Sequence, residues 1–189
     1  HEAQGLEELL PKMIPEWLEV GEGEAVDVVM TLGAFLMFRQ ACLQKDIAYL
    51  LNKDGSETFT RSELEMGFER DNGWVDVYHA LGISGADRLA DISAAEQIEQ
   101  LIAKGYLEET GSDHLQIGVA GNAIAQILSD PNPISITLGY ESMKPERLVT
   151  AVFLAGAKRL MRLEFDKGMI KIAAVQSRQE GMDWIKALI

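Results

Sequence analysis

The amino-acid sequence predicts an α+β protein in which a mostly helical part precedes a small four-stranded antiparallel sheet and a C-terminal helix. Apolar residues recur every three or four positions between residues 25 and 51, which is the period of a helix. A proline-rich stretch at 130–133 interrupts the chain, and several segments after it alternate apolar and polar residues, as strands do. We therefore expect a first domain over 1–130 and a second over 134–189.

The composition favours a globular protein and limits its partners. Hydrophobic residues make up 47% of the chain, enough for a core, and 30 acidic against 17 basic residues leave a formal charge of −13. Such an acidic protein repels polyanions, so nucleic acid is not an expected partner. The longest apolar run, 28–38, is shorter than the roughly 20 residues that a membrane-crossing helix needs, so a membrane is not expected either.

The single cysteine, Cys42, falls within the helical pattern and is expected to be buried. One cysteine excludes an intrachain disulfide and a cysteine-rich zinc site, and it fits a reducing cytoplasm. The chain begins at His1, which is either a tag remnant or the residue that follows a removed signal peptide. We expect a cytoplasmic protein, with export left open.

Capping residues define the shorter helices of the first part. The long helix ends at a polar turn, and the next helix opens at a capping box formed by Thr60 and Glu63. A third helix opens at a similar box, Ser93 and Glu96, and ends at Gly105. The polar turn 110–113 between two short apolar segments then predicts a β-hairpin.

This order of a helix, two capped helices and a hairpin resembles the winged-helix superfold over roughly residues 36–118. The resemblance rests on the pattern of elements and points to no family within the superfold. It implies a core of three helices followed by a two-stranded wing. In the transcription regulators that use this fold, the last helix of the core enters the DNA major groove.

Nucleic-acid recognition is therefore an alternative function, although charge disfavours it. The outer face of the third helix offers Glu96, Gln97, Glu99, Gln100 and Lys104. Carboxylates on a reading face repel phosphates, so folding would have to assemble a basic surface from separated residues. The residues available for this are Arg61, Arg70, Arg88 and Lys104.

The segment 52–63 has a second interpretation, as a calcium-binding loop similar to that of the EF-hand family. Oxygen-bearing residues occupy the positions that carry ligands in that family: Asn52, Asp54, Ser56, Thr58, Thr60 and Glu63. The resemblance implies a bidentate role for Glu63 and a backbone carbonyl ligand from Thr58. The loop departs from the family at position six, where Glu57 replaces glycine, and at position one, where Asn52 replaces aspartate. The structural alternative is a turn followed by a capped helix.

Four segments of the second part predict strands joined by tight turns: 134–138, 148–154, 160–165 and 169–173. A closing amphipathic helix is expected over 177–189, and Trp184 and Ile185 near its end are the expected partner-binding residues. The strands near 134–138 or 169–173 are expected to lie at sheet edges, where a partner strand can add. These features indicate a protein partner or a homo-oligomer.

No catalytic constellation is visible. His79 and His114 lie in different elements, and no phosphate loop, dinucleotide fingerprint or nucleophile motif occurs. By elimination, the sequence favours a non-catalytic protein-interaction or assembly module, an adaptor or a chaperone-like protein. A winged-helix transcription regulator and a calcium-binding protein are the alternatives. No enzymatic activity and no cofactor are expected, calcium being the one ion that the sequence suggests.

Overall fold

The computed structural model describes residues 26–52, 55–70, 92–128, 134–141, 148–156, 159–166, 168–175, 177 and 179–183. Within these ranges the chain combines α-helices with two antiparallel sheets, one of five strands and one of three. The predicted α+β class is confirmed.

A strand–helix junction opens the described chain. Strand β1 (Asp27–Thr31) runs directly into helix α1 (Leu32–Leu51). Thr31 is the N-cap, and its side chain accepts a hydrogen bond of 3.1 Å from the backbone N–H of Ala34. The carbonyl of Gly168, in a turn of the large sheet, accepts a bond of 2.9 Å from the N–H of Leu32. The start of α1 is thereby anchored to the sheet.

The prediction of one helix over 25–51 is wrong at its start, where β1 lies. Val28, Val29 and Thr31 are β-branched, and such residues lose side-chain freedom in a helix but fit a pleated strand. A short apolar run has no periodicity that distinguishes a buried strand from a helix, so the pattern merged β1 with α1.

Between residues 59 and 117 the described chain forms two further helices and the three-stranded sheet. The elements are strand β2 (Phe59–Thr60), helix α2 (Arg61–Arg70), helix α3 (Ala94–Ala103), strand β3 (Leu107–Glu109) and strand β4 (His114–Ile117). The strand order is β2-β4-β3. Ser93 caps α3 by accepting a bond of 3.4 Å from the N–H of Glu96, and Gly105 follows the helix with φ +72°. Ser93 as the N-cap and Gly105 as the residue after the helix are confirmed, and of the predicted capping box the observed bond is the one that Ser93 accepts.

The second part forms a meander that β1 extends. After a 3-10 turn (Val119–Gly121) and helix α4 (Asn122–Leu128), the strands are β5 (Ile134–Glu141), β6 (Leu148–Gly156), β7 (Arg159–Asp166) and β8 (Met169–Val175). The sheet order is β1-β8-β7-β6-β5, with every pair antiparallel. The four predicted strands are all present, but the sheet has five strands because β1 pairs with β8.

One hydrophobic core joins the helices to the large sheet. Phe35 and Phe38 of α1 are completely buried, as are the inward residues of β7 and β8, and all belong to one cluster. The inward set on these strands is Met161, Leu163, Ile170 and Ile172, at alternate positions. Helix α1 also packs against α2, α3 and α4. Helix α1 contacts β1 and β8 of this sheet, and α4 contacts β6 and β7, so the two helices share the large sheet between them.

Candidate protein-binding surface

Helix α1 is buried over its first half and leaves an apolar stripe exposed over its second. Every residue from 32 to 38 is buried. Four large apolar side chains further along are exposed and are called the α1 stripe: Leu43, Ile47, Leu50 and Leu51. Solvent reaches 80% of Leu50 and 75% of Leu51. Spacings of three and four place these residues along one side of the helix, and contiguous exposed apolar surface marks an interaction site.

The α1 stripe borders an open groove of about 560 Å³. Ile47 and Leu51 belong to both the stripe and the groove. The remaining lining residues are Gln44, Ala48, Asn52, Ser56, Thr58, Phe59, Thr60, Glu63 and His114. One wall is therefore largely apolar and comes from α1, whereas the facing wall carries the hydroxyl, carboxylate and imidazole groups of the 52–63 loop and β4.

Glu63 lies in this groove as part of a reciprocal cap. Its Oε2 accepts bonds from the backbone N–H of Thr60 at 2.7 Å and from the Thr60 hydroxyl at 2.8 Å. The N–H of Glu63 in turn donates to Thr60 Oγ1 at 3.2 Å. The predicted capping box is confirmed. The bond from the Thr60 backbone N–H is the largest reason that the pKa of Glu63 lies below its ordinary value, and the bond from the Thr60 hydroxyl is the next. The group is therefore a carboxylate at neutral pH.

The groove also gathers five of the six residues that the sequence predicts as calcium ligands: Asn52, Ser56, Thr58, Thr60 and Glu63. Their polar atoms bond within the loop. The amide Nδ2 of Asn52 donates to the Ser56 carbonyl at 3.0 Å, and the hydroxyls of Ser56 and Thr58 lie 2.7 Å apart. Asp54 lies outside the described residues. Within the described ranges, no three His, Cys, Asp or Glu side chains are grouped closely enough to hold a metal ion.

The described cations beside the groove are held by carboxylates. Lys45 Nζ lies 3.7 Å from Glu57 Oε2. Arg61 Nη1 lies 2.7 Å from Glu99 Oε1, and its Nη2 lies 3.1 Å from Glu109 Oε1. The bond to Glu99 is the main reason that the pKa of Arg61 is raised. Glu63 forms no ion pair with any lysine or arginine that the structure describes, and the charged neighbour that helps to lower its pKa is His114 of the same groove.

The same contacts affect the predicted reading face of α3. Glu99 lies on that face and engages Arg61, one of the cations that a basic surface would need. Gln97, also expected on the outer face, is buried, and its Oε1 accepts a bond of 3.4 Å from the Thr31 hydroxyl. The expectation for Gln97 is wrong because it lies on the same side of the helix as Leu101, one turn later, which is a core residue.

The other predicted partner sites are placed only in part. Ser177 accepts a bond of 3.1 Å from the N–H of Glu180 at the start of a helical segment, 179–183. Trp184 and Ile185 lie outside the described residues, as do Arg88 and His79. The expected edge at 169–173 is wrong, because β8 pairs with β1 on one side and β7 on the other. The edge expected at 134–138 is confirmed, since β5 pairs only with β6 among the described strands.

Sequence reasoning missed the α1 stripe as a surface. Its residues share the helical period of the buried half of α1, so the pattern assigned them to the core. A sequence signal was available in the neighbouring side chains: Lys45, Asp46 and Tyr49 interrupt the apolar run in the second half of the helix. Polar residues at these positions indicate that the end of α1 projects beyond the core.

Comparison with known proteins supplies no further assignment. No protein-family model matches the chain, and no curated protein or solved structure shows significant similarity to it. In the described part of the chain, no helix is both long and apolar enough to cross a membrane.

Proposed function

We propose that this chain is a non-catalytic protein-binding module, acting as an adaptor or in assembly, with the α1 stripe as its contact surface. The observation that carries the proposal is the exposure of Leu50 and Leu51 beside a groove. Full burial of a leucine side chain contributes about 1.5–3 kcal/mol. Covering the stripe with a partner would therefore supply a substantial part of a binding free energy.

The stripe is not required for the core of this chain, which supports its use in binding. The buried side of α1 already contacts α2, α3, α4 and the large sheet. Ala48, on that buried side, is covered, whereas Leu50 two residues later is open to solvent. A helix that packs on one side and presents leucines on another is suited to a second helix or an apolar segment of a partner.

Site-specific photo-crosslinking tests this proposal. A photoreactive amino acid in place of Leu50 should form a defined protein adduct in an extract of the source cells. The same amino acid in place of Ala103, an exposed residue of α3, is the matched control. A discrete adduct from position 50 alone supports the proposal. Adducts from both positions alike, or from neither, would contradict it.

A winged-helix regulator is the second candidate function, and the order of elements favours it. We propose that α1, β2, α2, α3, β3 and β4 correspond to the helices and wing of that superfold, with β4 central in the small sheet. The pairing of Arg61 with Glu99 and Glu109 weighs against DNA binding, because it neutralises a cation beside the reading helix.

Anisotropy of fluorescent duplex DNA at low salt separates the two candidates. The protein-binding proposal predicts no saturable binding by the native chain. Binding that falls steeply with salt and is lost in Arg61→Ala would instead favour the regulator. Lys45→Ala, which changes a cation on α1 rather than at the α2–α3 contact, is the charge-matched control.

A further inference from the structure

We infer that the partner segment is a basic amphipathic helix, with its apolar side on the α1 stripe and a lysine or arginine side chain in the adjoining groove near Glu63. This inference rests on the proposed function and specifies the chemistry of the partner. The stripe extends over two turns of α1, about 12 Å at the rise of an α-helix. A helical segment of about three turns would cover it.

The position of Glu63 supplies the charge argument. One of its oxygens, Oε2, is fixed by Thr60, so the orientation of the carboxylate is set before any ligand arrives. The other oxygen, Oε1, makes no hydrogen bond with a described residue. Ile47 and Leu51 line the same groove, so a partner that covers the stripe brings its flanking side chains near this carboxylate. An ammonium or guanidinium group is its natural partner.

The surrounding charges favour the same ligand. The described lysine and arginine next to the groove, Lys45 and Arg61, are already paired with carboxylates, which leaves His114 as the basic side chain within the groove. Asp46 directly precedes the groove residue Ile47, and Asp113 directly precedes the groove residue His114, so both add negative charge beside the groove. A basic partner would therefore approach a surface of opposite sign, which accelerates association and excludes acidic competitors.

Two other occupants fit less well on charge. A second copy of this chain would bring another formal charge of −13 to the same surface. The segment 1–25 of the chain itself contains apolar residues, but it carries seven glutamates against one lysine. Like charges across an interface oppose association, so a basic segment of another protein is the better match.

Three designed helical peptides provide the test with the full chain. The first has leucines along one side and lysines on the other. The second replaces its lysines with glutamates, and the third is the lysine peptide with its sequence scrambled so that the leucines no longer share a side. Anisotropy of the labelled peptides gives their affinities. We expect the first peptide to bind at least about tenfold more tightly than either of the others.

Four variants locate the binding. Leu50→Ser should weaken binding of the lysine peptide roughly tenfold, because it removes apolar contact area. Glu63→Gln should weaken it about threefold to fivefold, because glutamine can also serve in a capping box, so the change removes the charge and keeps the cap. Tyr49→Ser and Glu69→Gln are the matched controls, an exposed residue of α1 outside the stripe and a carboxylate of α2 outside the groove, and should bind normally.

The results separate this inference from the proposed function. Equal binding of the lysine and glutamate peptides, or equal weakening by Glu63→Gln and Glu69→Gln, would overturn the inference. If position 50 still crosslinks a protein, the proposed function stands with a partner of different chemistry. A dimer in sedimentation velocity that Leu50→Ser dissociates would identify a second copy as the occupant and would also overturn the inference.

Discussion

Arg61 and Glu99 join the first residue of α2 to the exposed side of α3 through a bond of 2.7 Å between Nη1 and Oε1. The second amino group of Arg61 reaches Glu109 of β3 at 3.1 Å. One side chain therefore connects three elements of the small sheet region. The same contact pairs a cation beside α3, the helix that the winged-helix hypothesis assigns to DNA reading.

The first prediction concerns the strength of this contact. A double-mutant cycle of Arg61→Gln and Glu99→Gln, measured by urea unfolding, should give a coupling of about 0.5 kcal/mol because both groups are partly exposed. The coupling should decrease with added salt. A parallel cycle with Glu96→Gln should give almost none. Equal coupling in the two cycles would show that the bond has no specific effect.

The second prediction concerns pH. The pKa of Glu63 is lowered in the folded state, so its contribution to stability is present above the unfolded pKa and is lost as the pH falls through the folded pKa. Glu63→Ala should lower the free energy of unfolding by about 1 kcal/mol at neutral pH. The difference from the native chain should shrink at acidic pH, and Glu63→Gln should recover part of the loss. A difference that did not change with pH would contradict the assignment.

The third prediction concerns Gly118, where the chain passes close to its own backbone. A Cβ at this position would collide with the carbonyl of Gly105. Gly118→Ala should therefore destabilise the fold by about 1–3 kcal/mol, the usual cost of overpacking. Gly111→Ala is the control, since a Cβ there meets nothing within 4 Å. Similar urea midpoints for the two variants would disprove the close approach.

The fourth prediction concerns the thiol of Cys42, which is buried in α1. Burial, and to a smaller extent the charge of Asp46, raises the pKa of this thiol, so little thiolate forms. A water-soluble thiol reagent should react with the folded chain far more slowly than with the chain in guanidinium, where one thiol per chain should titrate. Rapid labelling of the folded protein would show that this part of α1 opens readily.

The fifth prediction concerns calcium. Because Glu63 Oε2 and the Asn52 amide are engaged within the loop, we expect titration calorimetry to show no saturable heat with calcium. Heat that saturates with the native chain and disappears in Glu63→Gln would replace the capped-turn interpretation with a calcium site. Glu69→Gln controls for a general loss of negative charge.

The caps and the strands of the second part could be predicted from the sequence because each depends on nearby residues. Thr60 with Glu63, Ser93 with Glu96, and Gly105 each satisfy helix-end groups within a few positions. The candidate site could be predicted only in part. Glu63 was identified as important, but its groove requires His114, which is distant in sequence and arrives through the pairing of β2 with β4.

The sequence by itself determined the α+β class, the order of the helices and most strands, the burial of Cys42 and the acidic charge. These follow from local periodicity, capping chemistry and composition, which need no knowledge of distant contacts. Only the tertiary structure decided that 27–31 is a strand, that β8 is an interior strand and that Leu43, Ile47, Leu50 and Leu51 face solvent. Apolar residues have the same period whether a core or a partner covers them, because the hydrophobic effect is non-directional and depends only on which surface is nearby.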